Sequence, residues 1–538
     1  MGKSLEIPKK MLKKRVLKTF LSTNRRLKMY MLNSVKRSAI FNEFTPEEQE
    51  KYFSIKEKAV SHHIDTLYYS VFIKGDDVNI KDERLIGLLH DIHDLKEAKL
   101  SNLSTDVQFF GLCVQPFGAQ VPGGLYMNRL SYEENFDIFI SDYIPNAETP
   151  RIQVQLRTRS LVLNGLYNAL EESYKYVKDI LDYYGLEIYE IVENRIDYAF
   201  HTNIIQKPME MFCDESVKKH IVTNFRELWK HIWLVNRNDE FFDLDYFALG
   251  SRKSKTVYFR TYAKAKEVVQ KHYKAFFFKV WLDRGLISEY DKFVYEKAYE
   301  MKSFKTGCLV GRIKWYLEFG SNDALKDKLQ KLLESCNVNS DNNPCIEKEI
   351  KGILPPPTEI MNVEFETKRK FYLKLGDFIS SYEFTNKGSE ELRRLYKVLD
   401  LRREIINKLC TDVVSFTVDR TNPDAEEMDW WKRIRRVRIE DQPDKAVLDA
   451  WYTYSRNVDV QRSKRTFAGN LASLAMLQRD EASESTFSED IWDAITLLND
   501  NHIEDMDRKI FDKLTPSSYK DIQKKKSRQL RPILKKKE

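Results

Sequence analysis

Cysteine is scarce in this chain and does not cluster. The 538 residues contain six cysteines, and no two of them form a Cys-x-x-Cys pair. Disulfide frameworks and structural zinc sites both need clustered cysteines, so the sequence argues against both. Scattered cysteines are typical of a protein of the reducing cytoplasm.

Long apolar runs are also absent. No stretch approaches the ~18 consecutive apolar residues of a membrane span, so we expect a soluble protein with no membrane partner. The N-terminal segment has Lys13, Lys14 and Arg15 among its apolar residues, which is not the pattern of a secretory signal. A Gly-x-x-x-x-Gly-Lys-Ser/Thr loop is missing as well, which argues against an ATP-driven helicase.

Charge of one sign is not in large excess. The 89 Lys and Arg residues are nearly balanced by 82 Asp and Glu residues, which leaves a net charge of +7. This value alone does not establish a nucleic-acid partner. Positive charge is concentrated in a basic arm over residues 1–45 and a basic tail over residues 516–538. Each is either a solvated terminus or a segment that attracts phosphates.

The central sequence has the pattern of an α+β protein. Between residues 46 and 334, β-type runs at Phe136–Ile144, Arg151–Leu163 and Leu186–Thr202 alternate with amphipathic helices such as Gly165–Tyr184. This order predicts an α+β domain with helices packed on one face of an antiparallel sheet.

A second region follows a polar segment. Residues 335–357 are rich in Asn and Asp and end in three prolines, a composition that predicts a linker. Residues 358–515 predict a mostly helical C-terminal region, with helices expected at Ser389–Leu409 and Ser488–Asn499.

The most informative segment has a hairpin pattern over residues 243–262. An apolar run meets a polar turn at Gly250, and a second strand follows. Because side chains alternate faces along a strand, Tyr258, Arg260 and Tyr262 are expected to share one face.

A tyrosine in this position has the chemistry for phosphodiester cleavage. Its hydroxyl titrates near ~10, so it attacks poorly at neutral pH unless a base or nearby cations favour the phenolate. Arg260 on the same face, with Arg252, Lys253 and Lys264 nearby in sequence, would supply a positive field and hold a phosphate. The alternative is a basic hairpin in which the tyrosine is half-buried and structural.

A second window, residues 194–203, has the pattern of a strand with Arg195, Asp197 and His201 on one face. A carboxylate on a sheet face is a candidate oxygen ligand for Mg²⁺ or Mn²⁺. Asp197 and His201 would be roughly 13 Å apart in a straight strand, which is too far for both to bind one ion. The alternative is a surface ion pair between Arg195 and Asp197.

Three short motifs therefore occur in order along the chain. They are Arg195-Ile196-Asp197, then Gly250-Ser251-Arg252-Lys253-Ser254, then Arg260-Thr261-Tyr262-Ala263-Lys264-Ala265-Lys266-Glu267. In order and local spacing they resemble the Rep_trans family of replication initiators and relaxases, which serves rolling-circle plasmids and some integrative elements. The resemblance covers residues 100–320.

The resemblance implies a metal-assisted transesterification. A tyrosine attacks a phosphate in single-stranded origin DNA, forms a 5′-phosphotyrosyl link and leaves a free 3′ hydroxyl for a polymerase. Tyr262 corresponds to the nucleophile and Asp197 to a ligand of Mg²⁺ or Mn²⁺, while Glu267 is a weaker candidate for ligand or base. Arg260 and Lys264 would hold the phosphate. Further contacts to DNA are expected from Arg195, Arg252 and Lys253.

The implied function is initiation of rolling-circle replication of a plasmid or mobile element. A host helicase or polymerase is the further partner that this function implies, and assembly as a homodimer stays open. A relaxase for conjugative transfer would use the same chemistry. A non-catalytic DNA-binding regulator on the same fold is the third alternative.

Some residues depart from the family pattern. Ala263 stands where the family commonly has Asp, and Gln153 and Gln155 lie on a predicted strand where a carboxylate would be expected. A later predicted strand, Gly311–Gly320, carries basic residues instead of acids. These departures keep the regulator alternative open.

Aromatic and basic residues also adjoin in the C-terminal region. Trp430 and Trp431 begin a run that continues in basic residues to Arg438. Such residues stack on bases and neutralise phosphates, so the run is a candidate DNA contact. The alternative is an amphipathic helix with a basic solvent face.

Overall fold

The structure, a computed structural model, describes residues 29–439 apart from short gaps. The gaps are residues 57–58, 77–81, 103–106, 116–117, 122–123, 145, 147–148, 206–207, 213, 226–245, 271–273, 337–342, 383–387 and 423. Most of the predicted basic arm, the basic tail and the helix expected at Ser488–Asn499 lie outside the described residues. None of the helices in the described ranges is long and apolar enough to cross a membrane.

A ten-stranded antiparallel sheet organises the described chain. Across the sheet its strands are ordered β8-β9-β10-β7-β1-β6-β5-β4-β3-β2 when numbered along the chain. In chain order they are β1 (Val60–Ile73), β2 (Gln108–Phe109), β3 (Leu112–Gln115), β4 (Asn128–Tyr132), β5 (Phe136–Ile140), β6 (Ile152–Arg157), β7 (Ile188–Thr202), β8 (Tyr246–Leu249), β9 (Val257–Ala263) and β10 (Met361–Lys368). The predicted α+β class is confirmed.

Helices accompany the sheet along the described chain. Five are used below: α1 (Leu166–Tyr183), α2 (Lys264–Gln270), α3 (Phe276–Asp283), α4 (Glu289–Met301) and α5 (Phe304–Phe319). The other α-helices are Asn33–Lys36, Pro46–Phe53, Glu83–Asn102, Thr158–Leu163, Pro208–Phe212, Asp214–His220, Asp323–Ser335, Asn343–Ile350, Arg369–Leu373, Gly376–Ser381, Arg393–Asp400, Arg402–Lys408 and Asp429–Arg435.

Shorter elements complete the described secondary structure. Two 3₁₀ turns lie at Phe41–Glu43 and Glu390–Leu392, and a π-helical turn at Leu409–Val413. Three separate pairings join Met29–Tyr30 to Ile55–Lys56, Ala119–Val121 to Gly124–Tyr126, and Ile221–Thr223 to Val414–Phe416.

Alternation along the strands gives the sheet one apolar face. On β7, Ile196, Tyr198 and Phe200 are fully buried on this face. The amphipathic helix α1, predicted from its apolar stripe, packs here, and the hydroxyl of Tyr69 on β1 lies 3.0 Å from the hydroxyl of Ser173. The other face of the sheet is thereby left for polar side chains.

Strand β10 comes from beyond the predicted linker. It lies between β9 and β7 in the middle of the sheet, although a helical region was expected from residue 358 onward. The linker segment itself contains the helix Asn343–Ile350, since a proline at position 344 is tolerated in a first helical turn. After β10 the described chain is mostly helical, as expected.

Two predicted strands are wrong in whole or in part. The segment Arg151–Leu163 is a strand only as far as Arg157 and then turns into a helix. The segment Gly311–Gly320 begins inside helix α5. A Cβ on Gly307 or Gly311 would come within 2.4 or 2.8 Å of the backbone of α4, so these glycines permit close helix packing.

The two adjacent tryptophans belong to the core. Trp430 and Trp431 are buried, and the ring of Trp431 lies 6.1 Å from both Phe259 and Phe365 on the apolar face. Its indole Nε1 donates to the carbonyl of Cys410 at 3.0 Å. The helix Asp429–Arg435 is therefore amphipathic, as the alternative expected, and its tryptophans are not available to stack on bases.

Replacement of Trp431 by alanine tests this packing behind β9 and β10. We expect Trp431→Ala to lower the free energy of unfolding by about 3–5 kcal/mol, because a large buried ring is lost and a cavity remains. Urea denaturation measures the change. Tyr183→Ala is the control, since that side chain is 71% exposed and should cost little. Equal effects of the two substitutions would contradict the described packing.

Candidate catalytic tyrosine site

The face of the sheet opposite α1 carries charged side chains on three neighbouring strands. Cross-strand register pairs Arg260 on β9 with Glu364 on β10, and Asp197 on β7 with Glu366 on β10. Directly paired residues point to the same face of a sheet. The predicted grouping of Arg260 with Tyr262 on one face is confirmed, and β10 adds carboxylates between them and Asp197.

The Tyr262 hydroxyl lies at the centre of a polar cluster. It donates to Glu364 Oε2 at 3.1 Å and accepts from the side-chain amide of Asn362 at 2.8 Å. Lys264 Nζ lies 3.4 Å from the same hydroxyl. Tyr262 itself is only partly buried. Its reactive oxygen is thus held by three side chains while the residue keeps contact with solvent.

Two cations flank the aromatic ring. The Arg260 guanidinium carbon and Lys264 Nζ each lie 5.5 Å from the centroid of the Tyr262 ring. Both cations are also paired with carboxylates. Arg260 donates from Nε to Glu364 Oε1 at 2.9 Å, and Lys264 Nζ lies 2.6 Å from Glu267. Arg260 and Lys264 are therefore next to Tyr262, as predicted, but their charges are largely neutralised.

The balance of these charges keeps Tyr262 protonated. Burial raises the pKa of Tyr262 well above its ordinary value, and the charges of Glu267 and Glu364 raise it further, against the opposing effect of Lys264 and Arg260. The predicted cationic field that favours a phenolate is thus wrong, because the carboxylates outweigh the cations. Arg252 and Lys253, which were also predicted to contribute positive charge at Tyr262, are exposed in the Gly250 turn, at the opposite end of β9 from Tyr262.

A buried network of two lysines and two carboxylates supports Lys264. Lys274 Nζ lies 3.1 Å from Glu267 and 3.9 Å from Asp65, and Lys264 Nζ lies 3.6 Å from Asp65. Lys264 is fully buried. Glu267 therefore acts on Tyr262 through Lys264 and through charge, and its carboxylate is engaged by both lysines.

The pKa shifts in this network follow from the ion pairs. Burial acts to lower the pKa of Lys264, but the charges of Asp65 and Glu267 outweigh it and raise this pKa well above its ordinary value. Burial raises the pKa of Asp65, but Lys264 and Lys274 together hold it well below its ordinary value. Burial and the charge of Lys264 lower the pKa of Lys274. Lys264 is accordingly fixed as a charged ammonium beside the Tyr262 hydroxyl.

Helix α3 covers this end of the polar face. The ring of Phe277 lies 5.3 Å from Lys264 Nζ and 4.7 Å from the ring of His201. Trp281 Nε1 donates to His201 Nδ1 at 2.9 Å. The predicted polar residue His201 is therefore buried under α3, and Lys264 is shielded from solvent next to the partly exposed Tyr262.

Asp197 forms the ion pair that was considered as an alternative to metal binding. Its two carboxylate oxygens accept from Arg195 at 2.8 and 2.6 Å, and Arg195 also lies 3.0 Å from Glu366. The Asp197 carboxylate is buried and Arg195 is only partly exposed, so this is not the surface pair that was expected. Burial raises the pKa of Asp197 to about 7, with Arg195 opposing and the charges of Glu364 and Glu366 adding to the rise. Strand β10 separates Asp197 from the strand that carries Tyr262.

The polar face has the type of ligand atom that a hard divalent cation prefers, but its carboxylates are bonded to arginines and are not arranged around a common point. Carboxylate oxygens are the ligands that Mg²⁺ and Mn²⁺ prefer. Here Asp197 and Glu366 bond to Arg195, and Glu364 bonds to Arg260. In the ranges that the structure describes, no group of three or more His, Cys, Asp or Glu side chains is placed to hold a metal ion. Entry of an ion would require one of the arginines to release its carboxylate.

Five residues of the site were not identified from the sequence: Asn362, Glu364 and Glu366 on β10, together with Asp65 and Lys274. Asn362 and Glu364 alternate with apolar neighbours on β10, and this period-two pattern is a usable signal for a half-buried strand. Asp65 is placed by a β-bulge, since the register of β1 against β7 shifts between Thr66 and Ile64. Neither the bulge nor the position of Lys274 has a signal in the sequence.

Comparisons with known proteins add little to this geometry. No protein-family model matches the chain, and no curated protein matches it in sequence. A solved structure, the rolling circle replication initiator protein from Geobacillus stearothermophilus, is similar with a TM-score of 0.32 and 11% sequence identity, over 72% of this chain and 100% of that chain. A similarity this low carries no argument about the site.

Removal of Lys264 tests the buried network. We expect Lys264→Met to lower the free energy of unfolding by about 3–5 kcal/mol, since it leaves buried carboxylates short of a partner. Lys279→Met is the control, because Lys279 pairs with Asp283 on the surface of α3 and should cost about 0–1 kcal/mol.

The pH dependence of this difference gives a second readout. The pKa of Asp65 is lowered in the folded protein, so its contribution is present above its unfolded pKa of about 3.9 and is lost as pH falls through the folded value. The gap between wild type and Lys264→Met should therefore narrow under acid. A gap that stays constant down to the acid transition would contradict the described ion pairs.

Proposed function

We propose that this protein is a DNA nicking-closing enzyme that initiates rolling-circle replication, with Tyr262 as its nucleophile. The observation that carries the proposal is the Tyr262 hydroxyl bonded to the carboxylate of Glu364, with the cations of Arg260 and Lys264 each 5.5 Å from the centroid of the Tyr262 ring. The ordered sequence motifs supply the reaction class. A solvent-accessible tyrosine with an adjacent base and cations is suited to attack on a phosphodiester.

In this proposal Glu364 is the general base. The pKa of Tyr262 is raised, so its proton leaves during the attack and not before it. Tyr262 Oη forms a bond to phosphorus while the bond from phosphorus to the 3′ oxygen breaks. Glu364 accepts the phenolic proton and can return it to the departing 3′ oxygen. One phosphodiester replaces another, so the step is reversible and the same residues can rejoin the strand.

The cations of the site would hold the scissile phosphate. Arg260 shares the Glu364 carboxylate with the Tyr262 hydroxyl, and Lys264 Nζ lies 3.4 Å from that hydroxyl, so both would act where negative charge develops on the transferring phosphoryl group. Lys264 is fully buried under α3, so a direct contact between Lys264 and the phosphate would require α3 to move away. Arg252 and Lys253 are exposed in the hairpin turn and are accessible to DNA. Arg195 is paired with Asp197 and Glu366, so a contact between Arg195 and DNA would require that pair to open.

Mg²⁺ or Mn²⁺ remains part of the proposal on the strength of the sequence resemblance. When bound, such an ion would supply charge for the phosphoryl oxygen. Asp197 is its proposed ligand and Glu267 a weaker one, although both carboxylates are engaged by protein cations. Recruitment of a host helicase or polymerase, and assembly of the protein as a homodimer, also stay predictions.

Two alternatives use the same residues. A relaxase for conjugative transfer differs only in its substrate. A non-catalytic DNA-binding regulator is favoured by one specific observation: the carboxylates of Asp197, Glu364 and Glu267 are each engaged by a protein cation.

Formation of a covalent protein–DNA complex tests the proposal. Supercoiled DNA of the replicon that carries this gene is incubated with the protein in Mg²⁺, in Mn²⁺ and in EDTA, and detergent-resistant complexes are measured on gels. We expect nicked circles and a covalent complex with either ion, and no covalent complex with Tyr262→Phe. Tyr258→Phe is the matched control, since Tyr258 lies on the same strand and face.

Each outcome separates one part of the proposal. Covalent product that persists in Tyr262→Phe would exclude Tyr262 as the nucleophile. Nicking in EDTA would exclude the metal requirement. A wild-type protein that binds this DNA without nicking it would favour the regulator.

A further inference from the structure

A basic groove lies at the end of the sheet far from Tyr262. Its volume is about 1080 Å³, and the hairpin turn after β8 and the chain that leaves β10 form part of its wall. Six residues of this wall carry the argument below: Lys253, Lys255, Lys368, Arg369, Lys370 and Tyr189.

The groove has a clear excess of positive charge. Of its five cations, only Lys368 forms an ion pair within the part of the chain that the structure describes, to Glu366 at 3.1 Å. Two acids, Asp76 and Glu190, also line the groove. Asp76 is neutralised by the buried Arg151 at 2.7 Å. The four remaining cations are opposed in the groove by Glu190 alone, which leaves an excess of three positive charges for an anionic ligand.

One of these cations has an unsatisfied donor. The Arg369 guanidinium lies 5.4 Å from the centroid of the Phe72 ring, which supports it from one side. Its Nη1 is buried and has no hydrogen-bond partner among the described residues. A buried donor without a partner is costly, and a phosphate oxygen would satisfy it once the partly exposed guanidinium turns toward the groove. This feature points to a phosphate-containing ligand at this position.

An exposed aromatic residue lies in the same groove. The side chain of Tyr189 is 73% exposed at the start of β7, beside the cations. A positively charged groove with an exposed aromatic ring is typical of single-stranded nucleic acid binding, because unpaired bases stack on the ring while cations follow the backbone. Duplex DNA would offer the phosphates but not the free base faces.

Strand β10 connects the groove to the tyrosine. Lys368 is at one end of β10 and Asn362, which bonds the Tyr262 hydroxyl, is near the other. Six residues of strand span roughly 20 Å. A nucleic acid strand bound in the groove therefore lies a short path along the sheet from the candidate nucleophile.

We infer that this groove binds the single-stranded DNA that flanks the scissile phosphate. The inference rests on the proposed function for the role of the bound strand, but the binding itself is separate from the chemistry. The inference assigns a role in substrate binding to four residues outside the tyrosine cluster: Lys255, Arg369, Lys370 and Tyr189.

Binding is measured without cleavage, in the full chain with Tyr262→Phe as the background. The probe is a labelled oligothymidylate of about 20 nucleotides, longer than the roughly 4–16 nucleotides of known single-strand sites. Affinity is followed by fluorescence anisotropy between about 50 and 200 mM salt. The groove variant is Lys253→Ala with Lys255→Ala and Lys370→Ala.

A matched control removes three other lysines. Lys175, Lys331 and Lys348 are exposed on helices, do not line the groove, and change the net charge by the same amount when replaced by alanine. We expect the groove variant to bind at least ~10-fold more weakly. The slope of log binding constant against log salt concentration should become shallower by about 2, since each lost phosphate contact contributes about 0.7. The control triple should bind like its parent. Tyr189→Ala should weaken binding roughly 5-fold or more.

Several results would overturn the inference. They are equal losses in the two triple variants, no measurable binding by the parent protein, and duplex bound as tightly as single strand with the same loss in the groove variant. The proposed function is tested separately. If the groove variant loses DNA binding and the wild type forms no covalent complex, the groove is still a DNA-binding site, but the proposed nicking reaction is wrong.

Discussion

The hydrogen bond from Tyr262 to Glu364 depends on the insertion of one strand. Strand β10 lies between β9, which carries Tyr262 and Arg260, and β7, which carries Asp197. It supplies the carboxylate that accepts from Tyr262 and Arg260, and Asn362 also donates to that carboxylate at 2.8 Å. Strand β10 pairs with both β9 and β7, and it is this pairing that fixes the position of Tyr262 relative to Asp197.

Insertion of β10 also sets the electrostatics of the face. Each cation near Tyr262 is matched by a carboxylate, and burial strengthens every such pair because water is excluded. The net effect is a neutral tyrosine with a base in contact. In the proposed reaction, Glu364 would therefore take the phenolic proton only as Tyr262 attacks the phosphate.

Much of the fold follows from periodicity, and the departures have physical causes. The hairpin, the long strand β7 and helix α1 could be predicted, because alternation and an apolar stripe mark them locally. Glu364 was missed because its strand follows a segment rich in asparagine and proline that suggested a domain boundary. Asp65 depends on a β-bulge, and the glycines of α5 serve helix packing, so neither is encoded in a local pattern. The proximity of Tyr262, Arg260 and Lys264 could be predicted because the three residues are close in sequence, whereas the carboxylates that balance the cations depend on long-range pairing.

The protonation state of Tyr262 is the most direct test of this account. With ¹³Cζ-labelled tyrosine, the Tyr262 resonance is assigned by its absence in Tyr262→Phe and followed as pH rises. The account predicts ionisation above the ordinary tyrosine pKa of about 10, and a lower pKa in Glu364→Gln, since one neighbouring negative charge is lost. A Tyr262 hydroxyl that ionises near or below its ordinary value in wild type would contradict the described balance of charges.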